Sequence, residues 1–364
     1  MALRVLIAGG GTGGHIIPAL AVARALVERH RAEILFVGTE RGLETRLVPE
    51  AGFQLRLVRV GPLNQVSLAT RIRTLLDIPT SLLACRRIIR DFKPDVVLGI
   101  GGYASGPGVA AALLMRVPTM LFEPNAMPGL TNRLVGKRVQ AAAVNFPAAA
   151  QWFRNAEVIG IPVRPAFFTL TAPDPQAPPH LLVFGGSQGA RLFNQTIPKI
   201  LGALLDAVPG LTILHQCGAR HSEPTQAAFE ATCADPARWK VSAFLDDMPA
   251  AFARAHLVMA RSGASTVAEL AAAGKPALLV PFAASADDHQ KRNAEEMARA
   301  GAAIMLTEPD LNPPDKLLAA LVDLLASPAR LAGMAAAAKT QAHPGAAERI
   351  ADRLASMGKP GSRD

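Results

Sequence analysis

The chain has 364 residues, half of them hydrophobic, with one Tyr and two Trp. That supports two α/β lobes, each with its own core, and excludes a disordered or repeat protein. Three scattered cysteines, Cys85, Cys217 and Cys233, build neither a disulfide framework nor a Cys-rich metal site, which points to a reducing cytoplasm.

The net charge of +9 is one-sided: residues 1–163 hold 19 Lys+Arg against 10 Asp+Glu, and residues 164–364 hold 19 of each. The first half is therefore expected to meet something anionic. Aromatics are too scarce to stack on single-stranded nucleic acid, and no helix-turn-helix or zinc-finger pattern occurs. An anionic membrane surface is the expected partner, and nucleic acid is not. Two segments imitate membrane signals. The apolar run Val5–Ala8 is too short for a secretory signal. Val96–Met115 is uncharged over twenty residues but carries five glycines and Pro107, which suits a strand, a glycine loop and a helix start.

In chain order, Arg4–Ala8 reads as a strand, Pro18–Arg31 as a helix, and Ile34–Val37 and Pro94–Leu98 as further strands. Strand–helix alternation implies parallel sheets covered on both faces. Proline becomes dense over Pro162–Pro179, marking a linker. Beyond it the pattern restarts with strands at Leu181–Phe184, Leu257–Ala260 and Ala277–Pro281. VLIAGGGTGGH and LLVFGGSQGAR open the two halves alike, which argues for two similar doubly wound lobes. A last helix at Ala346–Met357 is expected to pack back on the first lobe.

Gly9–His15 joins a strand to a helix, where glycine permits a tight turn and exposes a helix N-terminus to an anion. It fits the dinucleotide fingerprint weakly. It fails as a P-loop, because His15-Ile16 occupy the Lys-Ser/Thr positions. A sugar-transferase loop is the third reading, with local packing of His15 as its bland alternative. Gly99–Gly108, with Tyr103 and Ser105, suggests close approach by a bulky polar ligand, or else a tight connection. In the second half three loops follow strands. Gly185-Gly186-Ser187-Gln188-Gly189 offers amides and a hydroxyl to a diphosphate. Arg261–Thr266 opens a helix on which Glu269 reaches a ribose diol, unless Glu269 only forms a salt-bridged helix face. The third is Asp287-Asp288-His289-Gln290. Ligands of open parallel sheets bind at this carboxyl edge.

GGGTGGHIIPALAVA, GIGGYASGPG, EPNAMPGLTNR, PVR, GGSQGARLFN, FLDDM and RSGASTVAELAAAGKPALLVPF together resemble the MurG family, the membrane-associated N-acetylglucosaminyltransferases of peptidoglycan synthesis. The likeness runs through nearly the whole chain in order. It implies a GT-B fold, two Rossmann-like lobes with a cleft between them. Residues 1–163, with the last helix, would form the acceptor and membrane side, and 164–345 the donor side. It further implies inverting transfer of GlcNAc from UDP-GlcNAc to the muramoyl C4 hydroxyl of lipid I, giving lipid II at the cytoplasmic face of the membrane, with no cofactor or metal. By the same resemblance Thr12, Gly13 and Gly14 lie near sugar and diphosphate, and Asn125 binds donor or acceptor. Arg164 and Ser187, beside Gln188, contact nucleotide and phosphates, and Leu245 lies by the uracil. Gly263, Ala264, Ser265, Thr266 and Glu269 hold phosphates and ribose, and Gln290 holds GlcNAc hydroxyls. Phe122 and Pro124 depart from the family's His-Glu-Gln-Asn, Ile161 stands where an Asn usually precedes PVR, and His289 replaces one Gln of a pair.

His15, a residue type that titrates near neutrality, is one candidate base for the acceptor hydroxyl, and Glu123 is the other. Asp246-Asp247 and Asp287-Asp288 read as helix-start or solvated carboxylates. A UDP-sugar epimerase, an NAD-dependent oxidoreductase using Glu40, and a non-catalytic nucleotide-sugar-binding subunit are the competing readings. Asn64–Lys93 interleaves Arg71, Arg73, Arg86, Arg87, Arg90 and Lys93 with Leu75, Leu76, Ile78, Leu82 and Leu83, as an interfacial patch does; the rival expectation packs those leucines on the first sheet. Lys137 and Arg138 extend the patch if they share its face.

Overall fold

The computed structural model describes residues 2–40, 42–61, 68–102, 104–232 and 234–358. Asn64, Tyr103 and Cys233, and the side chains of Arg71, Arg73, Leu75 and Leu76, lie outside the described residues. Two compact units make up the chain: residues to Pro162 together with the segment from Gly345, and Val163–Pro344.

In the first unit the strands are β1 (Arg4–Ala8), β2 (Glu33–Gly38), β3 (Gln54–Leu57), β4 (Val96–Gly99), β5 (Thr119–Glu123), β6 (Ala141–Val144) and β7 (Ala156–Val158). They pair in parallel in the order β3-β2-β1-β4-β5-β6-β7. The central strands are buried on both faces, which is why VLIA and VVLG read as unbroken apolar runs. Leu6, Leu35 and Val97 pack against Ile89 and Phe92 of the helix Leu68–Phe92. Val96–Met115 resolves into β4, a glycine turn and the helix Ser105–Leu114, as its glycines require.

The second unit repeats the plan with β8 (His180–Phe184), β9 (Thr212–Gln216), β10 (Trp239–Ser242), β11 (Leu257–Ala260), β12 (Ala277–Leu279) and β13 (Ala303–Met305). All are parallel, in the order β10-β9-β8-β11-β12-β13. Its core joins Leu181, Val183 and Met259 to Phe193, Ile197 and Leu201 of the helix Arg191–Ala207. In both sheets the chain runs outward from the first strand and then reverses. The switch points therefore fall between β1 and β4, and between β8 and β11, where ligands of such sheets bind.

Boundaries differ from expectation at several elements; β4, for one, begins at Val96 rather than Pro94. The first helix spans Gly13–His30 and encloses Pro18 rather than beginning there. Glycines in the first turn and a proline inside the helix disfavour this span, but burial of Ile16 at 0 % exposure outweighs them. β12 ends at Leu279, two residues short of Pro281, because proline supplies no ladder donor. The helix Ala346–Met357 matches its expected span and packs on Gly13–His30.

Candidate active site

At the first switch point the loops after β1 and β4 interlock through bare backbone. The Gly10 N–H donates to the Gly101 carbonyl at 3.2 Å. A Cβ on Gly9 would stand 2.2 Å from that oxygen, and one on Gly102 would stand 2.1 Å from the Gly10 oxygen. Glycine here makes the close approach of two chain segments possible, more than a simple tight connection needs. His15 sits half-buried in the first turn of Gly13–His30, and its ring lies so near Gly101 that a Cβ there would be 2.9 Å from Cε1. Thr12 is exposed just before it and makes no side-chain cap. Gly13, Gly14, Thr12 and His15 thus rim one edge of the sheet.

Glu123 ends β5 at 2 % exposure. Its Oε1 accepts from the Asn125 backbone and side-chain amides at 3.0 and 3.2 Å, and its Oε2 accepts from the Gly129 N–H and the Asn132 side-chain amide at 3.2 and 2.9 Å. Burial pushes the carboxyl up to about 7 against the pull of those donors. It ties down the turn that presents Asn125. Phe122, one of the departures from the family pattern, is buried within β5.

In the second unit the β8 loop exposes Ser187 and Gln188 at its tip, closed by Gly189 N–H donating to the Gly186 carbonyl at 2.9 Å. Past β11, Arg261 donates to the Val280 and Pro281 carbonyls, both at 3.1 Å, and meets Glu308 at 2.6 Å. Its guanidinium lies over the rings of Phe193 and Phe282. The Ser262 hydroxyl donates to the Gln290 carbonyl at 2.7 Å, and Gln290 Oε1 accepts the Phe282 N–H at 3.0 Å. Gly185, Gly189, Arg191, Arg261, Gln290 and Glu308 line a cavity of about 430 Å³.

Gly263 opens the helix Ala264–Ala273 without a side-chain cap, leaving its first-turn amides to a ligand. Glu269, on its second turn, lies 3.8 Å from Arg164 Nη2. Burial raises the Glu269 carboxyl to about 7, and the Arg164 charge opposes the rise. The Arg164 guanidinium rests on the Phe167 ring, which stands edge-on to Phe252. Leu245 is half-buried in the turn after the edge strand β10. Asp247 accepts the Ala250 N–H at 3.0 Å and caps the helix Met248–Arg254, a structural duty of the kind its position suggested. Glu40 is exposed and pairs loosely with Arg59 at 4.0 Å.

Two residues, Asn194 and Glu44, escaped the sequence reading, whereas Arg261 headed one of its candidate loops. Asn194 bridges the His215 ring and the Cys217 carbonyl at 2.7 and 2.9 Å, and it follows the second glycine loop by five residues. Glu44 braces the first glycine loop through long-range contacts and carries no local signal.

Two parallel doubly wound units with glycine loops at both switch points are the GT-B architecture. The glycosyltransferase family 28 N-terminal domain matches residues 5–144 and the family 28 C-terminal domain matches residues 180–350, and the chain belongs to this family. It is 45 % identical over 361 residues to a UDP-N-acetylglucosamine--N-acetylmuramyl-(pentapeptide) pyrophosphoryl-undecaprenol N-acetylglucosamine transferase of Anaeromyxobacter sp. (strain Fw109-5), covering 98 % of this chain and 93 % of the relative. Among solved structures, MurG of Acinetobacter baumannii superposes with a TM-score of 0.83 at 30 % identity, covering 97 % of this chain and 99 % of that one. A UDP-GlcNAc 2-epimerase from Neisseria meningitidis superposes with a TM-score of 0.66 at 12 % identity over 97 % and 100 % of the two chains, a likeness of fold alone.

Proposed function

We propose that the chain transfers GlcNAc from UDP-GlcNAc to the C4 hydroxyl of the muramoyl sugar of lipid I, forming lipid II with inversion at the anomeric carbon. The full-length 45 % identity to a transferase of that printed specificity carries this reading. The acceptor oxygen attacks the anomeric carbon, the bond to the β-phosphate oxygen breaks with its electron pair, and UDP leaves. His15 takes the hydroxyl proton as general base. Glu123, saturated by four donors, holds the Asn125 turn rather than accepting that proton. Glu269 accepts from the ribose diol. The amides of Gly263–Thr266, the loop carrying Ser187 and Gln188, and Arg164 stabilise the departing diphosphate. Gln290 takes GlcNAc hydroxyls, and Leu245 flanks the uracil.

The first unit is the acceptor and membrane side and the second the donor side; the protein attaches peripherally at the cytoplasmic face. The helix Ser105–Leu114 packs against both Leu68–Phe92 and Leu130–Val135. Each of the three exposes a leucine, Leu114, Leu83 and Leu134 respectively, near exposed Arg116, Arg86, Arg87, Arg90 and Arg138 in sequence. Among the described residues no single helix is long and apolar enough to cross a membrane. Leu82 packs toward the core instead, as the rival reading of the patch expects.

UDP release measured with and without a lipid-linked muramoyl acceptor tests the assignment. Release dependent on the acceptor is expected. Acceptor-independent conversion of UDP-GlcNAc to another UDP-sugar would make the protein an epimerase, and binding without turnover would make it a nucleotide-sugar-binding subunit.

A further inference from the structure

Glu44 opens the helix Glu44–Glu50 and is fully buried. Its Oε2 accepts the Gly11 N–H at 2.7 Å, while its Oε1 accepts the Thr39 N–H at 2.9 Å and the Thr39 hydroxyl at 3.0 Å. In the reverse direction the Leu43 N–H donates to the Gly11 carbonyl at 3.1 Å. The slot for this side chain is made of missing ones. A Cβ would fall 2.4 Å from the Glu44 Cδ at Gly10, 2.5 Å from its Cγ at Gly38 and 1.9 Å from its Oε2 at Gly42. Glycines from two stretches of chain, one at Gly10 and one at Gly38–Gly42, leave room for one carboxylate.

That carboxylate grips the loop that delivers Thr12 and His15. Thr12 does not cap the helix behind it, so the loop takes its position from its neighbours. On one side Gly10 is bonded to Gly101, and on the other Gly11 is bonded to Glu44. We infer that Glu44 is a positioning residue for glycosyl transfer: it fixes the Gly10–Gly11 peptide, and through it the His15 ring, without touching substrate. The inference rests on the transfer reaction and on the role of His15 set out above.

Two variants perturb the carboxylate from different sides. Glu44→Gln keeps its volume but turns an NH₂ group toward at least one of the donors it now satisfies. Gly42→Ala leaves Glu44 in place but pushes a methyl group into it; the three nearest atoms to that methyl all belong to Glu44, and the Gly42 backbone lies outside the left-handed region. With UDP-GlcNAc and lipid-linked acceptor, both variants should lower kcat, Glu44→Gln on the order of 100-fold, as expected when a reacting group is misplaced by about an ångström. UDP affinity and binding stoichiometry, measured by calorimetry, should stay at wild-type values. In a Glu44→Ala background, Gly42→Ala should add almost nothing, since the group it displaces is gone. Wild-type kcat in Glu44→Gln would overturn the inference. So would a kcat loss matched by an equal loss of UDP-binding stoichiometry, which marks misfolding, or losses from Gly42→Ala and Glu44→Ala that multiply. Wild-type protein that fails to transfer GlcNAc would instead remove the reaction on which the inference rests.

Discussion

Arg164 Nη2 stands 3.8 Å from Glu269 Oε1, and the two residues approach each other from the start of the second unit and from the second turn of the helix Ala264–Ala273. The Arg164 charge offsets only part of the cost of burying Glu269, whose carboxyl rises from 4.5 to about 7. Between those values the folded protein keeps a proton that the unfolded chain has released. The contribution of Glu269 to stability is therefore complete below pH 4.5 and is lost as pH rises through 7. Glu269→Gln should accordingly stabilise the free protein at pH 8, by on the order of 2 kcal/mol, and change little near pH 4.5. Thermal melts at the two pH values decide this, and equal shifts at both would refute it.

Truncating the same side chain should damage ligand binding. A carboxylate accepting hydrogen bonds from a ribose diol is worth about 1.5–3 kcal/mol, so Glu269→Ala should weaken UDP roughly ten- to a hundredfold while the fold survives. An unchanged UDP affinity in calorimetry would remove Glu269 from the donor site.

His15→Ala should lose on the order of 10²–10⁴ in kcat with donor affinity preserved, because a base acts in the transition state. Glu123→Ala should fail differently. It leaves the buried amide of Asn132 and the part-buried amides of Asn125 and Gly129 without the Glu123 acceptor, at a cost on the order of 3 kcal/mol that lowers the melting temperature. If instead Glu123→Ala melts normally but is inactive while His15→Ala turns over, the proton goes to Glu123.

Much of this architecture is legible locally. β1 and β11 fall where their apolar runs put them, because a doubly covered strand has no alternation to obscure its ends, and the helix Ala346–Met357 falls between Gly345 and Gly358. The helix start at Gly13 is not legible, since it depends on where the side chain of Ile16 ends up. Glu44 is illegible for a similar reason: its partner Gly11 lies 33 residues away, and the space it fills is spread over Gly10, Gly38 and Gly42. The glycine loops announce a ligand edge, yet the interlocking of Gly9 and Gly102 with their opposite numbers appears only once β1 and β4 are neighbours.

The C-terminal helix allows packing and charge to be ranked. Ile350 and Leu354 are fully buried, whereas Asp352, which meets Arg29 and His30 at 2.8 and 2.7 Å, has a side chain 44 % exposed. Ile350→Ala should cost about 2–5 kcal/mol through the cavity it opens. Asp352→Ala should lower the melting temperature far less, since exposed ion pairs are screened by solvent. Denaturant titration of both variants checks the order, and a larger loss from Asp352→Ala would make the ion pairs the main fastening.

Leu82 and Leu83 divide the proposed membrane face at adjacent positions. Leu82 packs toward the first-unit core, while Leu83 is 62 % exposed, with Arg86, Arg87 and Arg90 exposed on the turns that follow. Each basic residue near an anionic surface contributes about 1 kcal/mol, so three arginines with an inserted leucine suffice for reversible attachment. Reversing Arg86, Arg87 and Arg90 to Glu replaces attraction with repulsion and should abolish co-sedimentation with anionic vesicles. UDP binding, assigned to the second unit, should be unchanged. Leu83→Ser should weaken sedimentation without lowering the melting temperature, whereas Leu82→Ser should lower the melting temperature because it strips a contact from the core. Wild-type sedimentation should also fall as salt is raised from low ionic strength, through screening of the arginines. Undiminished sedimentation of the triple reversal, or equal wild-type binding to neutral vesicles in high salt, would return these residues to an ordinary solvated helix face.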